Sequence, residues 1–248
     1  MPEVSGPSTA RLRVLTWNIH ACVGTDGRHD VERVGTCVRA LAPDIAAFQE
    51  VDSRRRNENA ANVYEVLRGE VGEHGHDAWA ISGEDGHYGQ ILASRFPLED
   101  KQVYDISVPG REPRRILEAR VHLPTATLRI IATHFGLRRT ERRRQLAALR
   151  EIVCRDLSSP ILLLGDFNEW CWPRWAQRDL AALFGYRSHH ASFPSRFPLF
   201  ALDRIWCRPG DLLACAWAAK EARAASDHLP VVAELTLPVP RPRPCATD

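Results

Sequence analysis

The sequence predicts an α/β sandwich, with many short strands and about four helices in mixed order. Short apolar runs of strand length recur along the chain, closed by Gly, Pro, Asn or Asp. Some of these runs follow one another as hairpins, and others are separated by segments of helical spacing. That mixture fits packed mixed sheets better than one purely parallel sheet. With 248 residues, 44% of them hydrophobic, the chain can bury a sizeable core.

Residues 1–10 are polar, with Pro, Ser and Gly, and are expected to form a disordered arm. Residues 11–18 alternate basic or polar with apolar side chains, which predicts a half-buried strand ending in Trp17-Asn18. Val31, Val34, Val38 and Leu41 have helical spacing, with Asp30 as N-cap and Pro43 beyond the end. Ile45-Ala46-Ala47-Phe48 predicts a strand that runs out into Gln49-Glu50. A second helix is expected over 59–71, then strands over 78–82 and 88–94 joined at Gly83-Glu84-Asp85-Gly86. Strands over 101–108, 115–123 and 126–133 follow, and the last delivers His134.

The clearest helix is 138–156, with Leu146, Leu149, Ile152 and Val153 on one face and arginines on the others. Pro160 then opens Ile161-Leu162-Leu163-Leu164, a strand apolar on both faces. It stops at Gly165 and presents Asp166 and Asn168, placed on one side by alternation, with Phe167 on the other. Trp172-Pro173 is expected to start a helix reaching about residue 184. Strands are expected over 202–207, 212–217 and 231–237. We expect one domain over 11–237 and a loose Pro/Arg-rich tail over 238–248.

The net charge of +2 gives no overall field that would favour nucleic acid. Nearly all the basic residues are arginine, clustered at 54–56, at 111–115 and at 138–144. Arginine forks suit phosphate oxygens, although such runs are also common on solvated faces. The seven cysteines are scattered with no CxxC pair, which reads as reduced thiols rather than a disulfide framework or a zinc site. No stretch has the length of a membrane span, and no apolar leader is present. The expectation is a soluble, cytoplasmic protein with no integral membrane association.

Polar groups appear where one apolar run after another stops: Asn18, Glu50, His134, Asp166 with Asn168, and Asp227 with His228. Asp203 sits within another such run. Alone, Asn18 reads as a turn residue, Glu50 as a surface acid and His134 as a satisfied core histidine. Asp203 alone reads as a partner for an arginine, and Ser226-Asp227-His228 as a turn. Their repetition at strand ends points to a site. Carboxylate oxygens suit a hard cation, and histidines beside carboxylates suit proton transfer or phosphate binding.

The ordered set Thr16-Trp17-Asn18, Phe48-Gln49-Glu50-Val51, Leu92-Ala93-Ser94-Arg95-Phe96-Pro97, Thr133-His134, Gly165-Asp166-Phe167-Asn168, Leu202-Asp203-Arg204-Ile205 and Ser226-Asp227-His228-Leu229-Pro230 resembles one family. It is the endonuclease/exonuclease/phosphatase superfamily of Mg²⁺-dependent phosphoesterases. The family includes pancreatic-type DNases, exonuclease III-type repair nucleases, inositol-polyphosphate 5-phosphatases and neutral sphingomyelinases. The resemblance implies a DNase I-like four-layer α/β/β/α sandwich, two packed mixed β-sheets flanked by helices with the site at one rim. It implies hydrolysis of a phosphoester, of phosphodiester type, by metal-assisted in-line attack of water. The cofactor implied is Mg²⁺, with Mn²⁺ as substitute.

Carried over by residue, the resemblance makes Glu50 the principal metal ligand, with Asn18 and Asp227 close by. Asp166 orients or activates the attacking water, and Asn168 holds the phosphate. His228 binds a phosphate oxygen or acts as base, paired with Asp203. His134 faces the leaving group. Arg115 and Arg138 are the candidates to reach a substrate phosphate. Two positions depart from the family: His20 stands where repair nucleases carry an acid, and Gln90 where pancreatic-type DNases carry an acid supporting their histidine. The expected partner is the phosphoester substrate, with nucleic acid among the candidates, and the expected state is a monomer. The alternative is a catalytically silent binding module on the same fold.

Overall fold

A computed structural model of the chain describes residues 9–54, 62–123, 126–170 and 175–238. Two parallel strand pairs anchor it. The first is β1 (Thr9–Asn18) with β2 (Ile45–Asp52), joined through helix α1 (Val31–Leu41). The second is β7 (Ala126–His134) with β8 (Ile161–Asp166), joined through helix α3 (Arg139–Cys154). Antiparallel strands extend each pair into a six-stranded sheet. Sheet one adds β3 (His74–Gly83), β4 (Gly86–Ser94), β11 (Leu213–Ala218) and β12 (Val231–Pro238), in the order β11-β12-β1-β2-β4-β3. Sheet two adds β5 (Glu99–Asp105), β6 (Arg115–Leu123), β9 (Tyr186–Arg187) and β10 (Asp203–Arg208), in the order β5-β6-β7-β8-β10-β9. Helices α2 (Val63–Val71) and α4 (Trp175–Ala181) complete the elements used below.

Strand alternation divides the apolar side chains among three clusters. Leu12, Val14, Ile45 and Leu92 of sheet one meet Leu117, Leu128, Ile130 and Leu162 of sheet two. On the outer face of sheet one, Leu15, Trp17 and Phe48 pack with Val34, Val38 and Leu67 from α1 and α2. On the outer face of sheet two, Ile131, Leu163 and Trp206 pack with Leu146, Leu149 and Val153 from α3. The result is the expected α/β/β/α sandwich. Each such fully buried side chain contributes about 1.5–3 kcal/mol relative to exposure.

Local chemistry sets the element ends. Asp30 has an extended backbone, and its side chain accepts from Arg33 N at 2.9 Å, as expected for the cap of α1. Asp30→Ala is expected to cost about 1 kcal/mol, read as a fall of about 2–4 °C in the thermal midpoint. At the end of β8, Gly165 has φ +149°, and a Cβ there would meet Thr133 O at 1.9 Å. Only glycine lets β7 and β8 close together at the register that sets His134 opposite Asp166.

The structure revises several boundaries. Thr9 and Ala10 belong to β1, paired with Pro238 and Leu237 of β12, so the arm and tail are shorter than expected at those positions. The rest of the arm, 1–8, and of the tail, 239–248, lie outside the described residues. Helix α2 is capped by Asn62, whose side chain accepts from Tyr64 N, and the earlier part of its expected span, 59–61, lies outside the described residues. So does Trp172-Pro173. Helix α4 ends at Ala181, and a tightened turn, Leu183 N to Leu180 O, carries the chain to Phe184. The short strand β9 was not expected, because its two residues are too few to show a period.

Candidate functional site

The carboxyl ends of the two parallel pairs meet at one rim, and four side chains reach it directly. Asn18 ends β1, Glu50 lies near the end of β2, His134 ends β7 and Asp166 ends β8. Open α/β sheets gather ligands at such ends. The antiparallel neighbours run the other way, so their first residues arrive at the same rim. Asp203 opens β10 opposite Asp166, and Asp227-His228 precede β12, whose Val231 lies opposite Thr16.

Glu50 sits at a register shift of β2 against β4, between Gln49 and Val51, with φ +55°. A bulge of this kind re-aims one side chain at a strained backbone, a device common beside functional sites. Asn168 is also left-handed, at φ +49°. Simple alternation therefore ends at Asp166. The carboxamide still lies 3.4 Å from Asp166 Oδ2, while Phe167 packs edge-on to Phe135 and Trp206 in the core.

Hydrogen bonds join these residues into one network. Asn18 Nδ2 donates to Glu50 Oε1 at 2.8 Å and to Asp166 Oδ2 at 3.1 Å, and its Oδ1 accepts from His20 N at 3.0 Å. Asn168 N donates to Asp166 Oδ1 at 2.8 Å. Asn168 Nδ2 donates to Phe135 O at 2.9 Å and lies 3.3 Å from His134 Nε2. His134 Nε2 is 3.6 Å from Asp166 Oδ2 and 3.9 Å from Glu50 Oε1. On the other side, His228 Nδ1 lies 2.7 Å from Asp203 Oδ2, which also accepts from Ser192 Oγ at 2.6 Å. Ser226 Oγ donates to Asn18 O at 2.8 Å and accepts from His228 N at 3.1 Å, which ties the two halves together. Asp227 stays partly exposed, with His20 Nδ1 at 3.7 Å from its Oδ1.

Electrostatics separates the two histidines. Burial, then Arg114 and His228, hold His134 well below the usual imidazole range, so it is neutral. Burial also opposes charge on His228, but the carboxylates of Asp203, Asp166 and Asp227 outweigh it and raise the imidazole to about 10. The Asp166 carboxyl is raised, first by its complete burial and then by the charge of Asp203. Among the described residues, no arginine or lysine lies within ion-pair distance of Glu50, Asp166 or Asp227. Hard oxygen donors gathered with no arginine or lysine at ion-pair distance fit a divalent cation such as Mg²⁺. The ligand atoms of Asp166, Asp203 and His228 lie within 4.8 Å of one another, but the bond between Asp203 and His228 already occupies one from each.

The eight predicted catalytic and metal residues therefore come together at this rim. The two predicted arginines do not join that network. Arg115 pairs with Asp105 Oδ1 at 2.7 Å and lines a small cleft beside Tyr88, Gln90, Arg114 and His134. Arg138 is exposed at the start of α3. Gln90 Nε2 donates to Arg115 O at 2.6 Å and its Oε1 has no partner, so Gln90 does not hold His134 as an acid would. Sequence reasoning missed Ser192, which lies in a loop with no period. Arg114 belongs with Arg111 and Arg115 to a basic segment that could reach a phosphate, with no mark in the sequence to single it out.

Two packed mixed sheets with a carboxylate and histidine rim define a DNase I-like sandwich. The chain belongs to the endonuclease/exonuclease/phosphatase family, whose model matches residues 15–228, a span that includes all eight residues of the rim. It is 32% identical over 247 residues to the protein YbhP of Escherichia coli K12, covering 91% of this chain and 96% of that one. An endonuclease/exonuclease/phosphatase structure from Beutenbergia cavernae superposes with TM-score 0.72 at 23% identity, covering 92% of this chain and 72% of that one. The mannosyl-6-phosphatase Bt3783 of Bacteroides thetaiotaomicron gives TM-score 0.72 at 16% identity over 90% and 99%. TDP2 of D. rerio complexed with a single-strand DNA product gives 0.64 at 15% over 91% and 98%. No helix among the described residues is long and apolar enough to cross a membrane.

Proposed function

We propose that this chain hydrolyses a phosphodiester with Mg²⁺ as the working cation and Mn²⁺ as substitute. The observation that carries the proposal is the gathering of Glu50 and Asp166 around Asn18 and His134 with no arginine or lysine of the described residues at ion-pair distance, beside the buried Asp203 and His228 pair. Glu50 and Asp227 hold the cation, which when bound polarises a phosphoryl oxygen. Asn18 supports Glu50 through its amide nitrogen, because its oxygen is taken by His20 N.

Asp166 orients the attacking water by accepting its hydrogen. Asp203 fixes the ring of His228 so that Nδ1–H donates inward, which leaves Nε2 as the second donor of an imidazolium that holds a phosphoryl oxygen. Asn168 offers its amide to the same group. His134, being neutral, serves the leaving oxygen as a hydrogen-bond donor. Residues 11–237, extended by Thr9, Ala10 and Pro238, form the unit that carries this activity, acting as a monomer.

Named neighbours include a sugar phosphatase and a protein complexed with DNA, and both chemistries belong in the test. The test is a panel of phosphoesters with Mg²⁺ or Mn²⁺: supercoiled and single-stranded DNA, RNA, sugar and inositol phosphates, phospholipids and a chromogenic diester. Chelation is expected to cut turnover at least about 100-fold, restored by either metal. Mg²⁺ at about 100 times its dissociation constant is expected to stabilise the fold by about 2.7 kcal/mol, read by thermal unfolding. No turnover on any member with either metal would favour the silent binding module.

A further inference from the structure

Asn168 carries its carboxamide at a point where the two ends of the group do opposite things. Rotating an amide by half a turn exchanges a donor for an acceptor and barely changes its shape. The terminal torsion of asparagine is broad, so something must choose between the two. In this structure the choice is made by neighbours of fixed polarity, of which Asp166 Oδ2, an acceptor, lies 3.4 Å from Asn168 Nδ2. Trp170 Nε1, which can only donate, gives its hydrogen to Asn168 Oδ1 at 3.2 Å. Phe135 O, which can only accept, receives Asn168 Nδ2 at 2.9 Å. A rotated amide would meet a donor with a donor and an acceptor with an acceptor. Trp170 also holds Asn168 through the backbone, with its N–H on Asn168 O at 3.2 Å.

The indole is itself held. Its ring stands edge-on to Phe193, with centroids 4.8 Å apart at 77°, and is tilted against Phe200 at 5.6 Å. Phe193 in turn lies 4.8 Å from the ring of His228. Phe193 and Phe200 pair across an antiparallel bridge that closes a loop. The loop is fastened at its base by Ser192 Oγ on Asp203 Oδ2 and by Ser195 N on Asp227 O at 2.6 Å. One continuous set of contacts thus runs from Asn168 to His228.

We propose that Trp170 is a positioning residue. Its indole N–H fixes which end of the Asn168 carboxamide faces His134 and Asp166, and its ring, through Phe193, sets that carboxamide against His228. The consequence for turnover rests on the phosphoesterase reading above, whereas the hydrogen bond itself does not.

Trp170→Phe keeps an aromatic ring against Phe193 and Phe200 and deletes the donor together with part of the indole's volume. It is expected to lower kcat about 10- to 100-fold with KM changed less than about twofold. In an Asn168→Ala background the same substitution is expected to change kcat less than about twofold, because its target is gone. Equal losses in both backgrounds, or wild-type kcat in Trp170→Phe, would overturn the proposal. A second measurement is independent of activity. The Trp170 indole N–H resonance, identified by its loss in Trp170→Phe, is expected to shift and to exchange faster with solvent in Asn168→Ala. An unmoved resonance refutes the positioning role even if no substrate is turned over. A wild-type chain with no turnover but a shifted resonance sinks the functional reading and leaves the positioning contact standing.

Discussion

Replacing Asp166 with asparagine is expected to cut turnover about 1,000-fold while leaving the fold in place. The side chain is fully buried at the end of β8 and meets Asn18, Asn168 and His134. Its Oδ1 takes Asn168 N and its Oδ2 takes Asn18 Nδ2, so asparagine fits the space but removes the charge. Two stability effects then oppose each other. Removing a charge held by burial near Asp203 relieves the folded state. An amide nitrogen facing Asn18 Nδ2 puts donor against donor, which costs about 1–3 kcal/mol if unrelieved. The thermal midpoint, measured with a chelator present, is expected to stay within about 5 °C of the wild type. Retained turnover at a tenth of wild type or more would show that Asp166 is structural only.

Arg129→Leu is expected to destabilise the protein by about 3–5 kcal/mol. Arg129 lies on β7 and is 1% exposed. Its Nε donates to Glu118 Oε1 at 2.6 Å. Its two terminal nitrogens donate to Val153 O, Asp156 O and Ile152 O at 3.0, 2.8 and 2.6 Å. These carbonyls lie at and just beyond the end of α3, where a cation also meets the negative end of the helix. Leucine leaves them and the Glu118 carboxylate without that partner, although Tyr104 OH still donates to Glu118 Oε2. Urea unfolding measures the loss, and adding Glu118→Gln is expected to recover part of it, since an unpaired charge costs more than an unpaired amide. A loss below about 1 kcal/mol would mean that water reaches the cluster freely.

The strand ends were legible because apolar period and turn residues are local signals. Asn18, His134 and Asp166 were found where the runs stop, and the structure brings them together as expected. The bulge at Glu50 was not legible. It is a mismatch between two strands, and a single strand does not record its partner's register. The contact of Ser192 with Asp203 was missed for a related reason, since it joins residues eleven apart through a loop without a period. Nor did the sequence say which way the Asn168 amide turns, because Phe135 lies 33 positions away and only the fold brings it near. The helix cap at Asp30 shows the contrast, because cap and target are three residues apart.

Strand β12 has a consequence for how the protein comes into being. It lies between β1 and β11, and its Pro238 pairs with Thr9. During synthesis, β1 emerges long before the strand that covers its outer edge. Through that interval β1 presents an open row of backbone donors and acceptors, a template for pairing with another chain. Such distant pairing also makes the final closure slow. The nascent chain is thus most exposed to aggregation just before its closing strand arrives. Tying residue 238 to residue 9 and opening the chain at a surface turn would bring β12 and β1 together at the start.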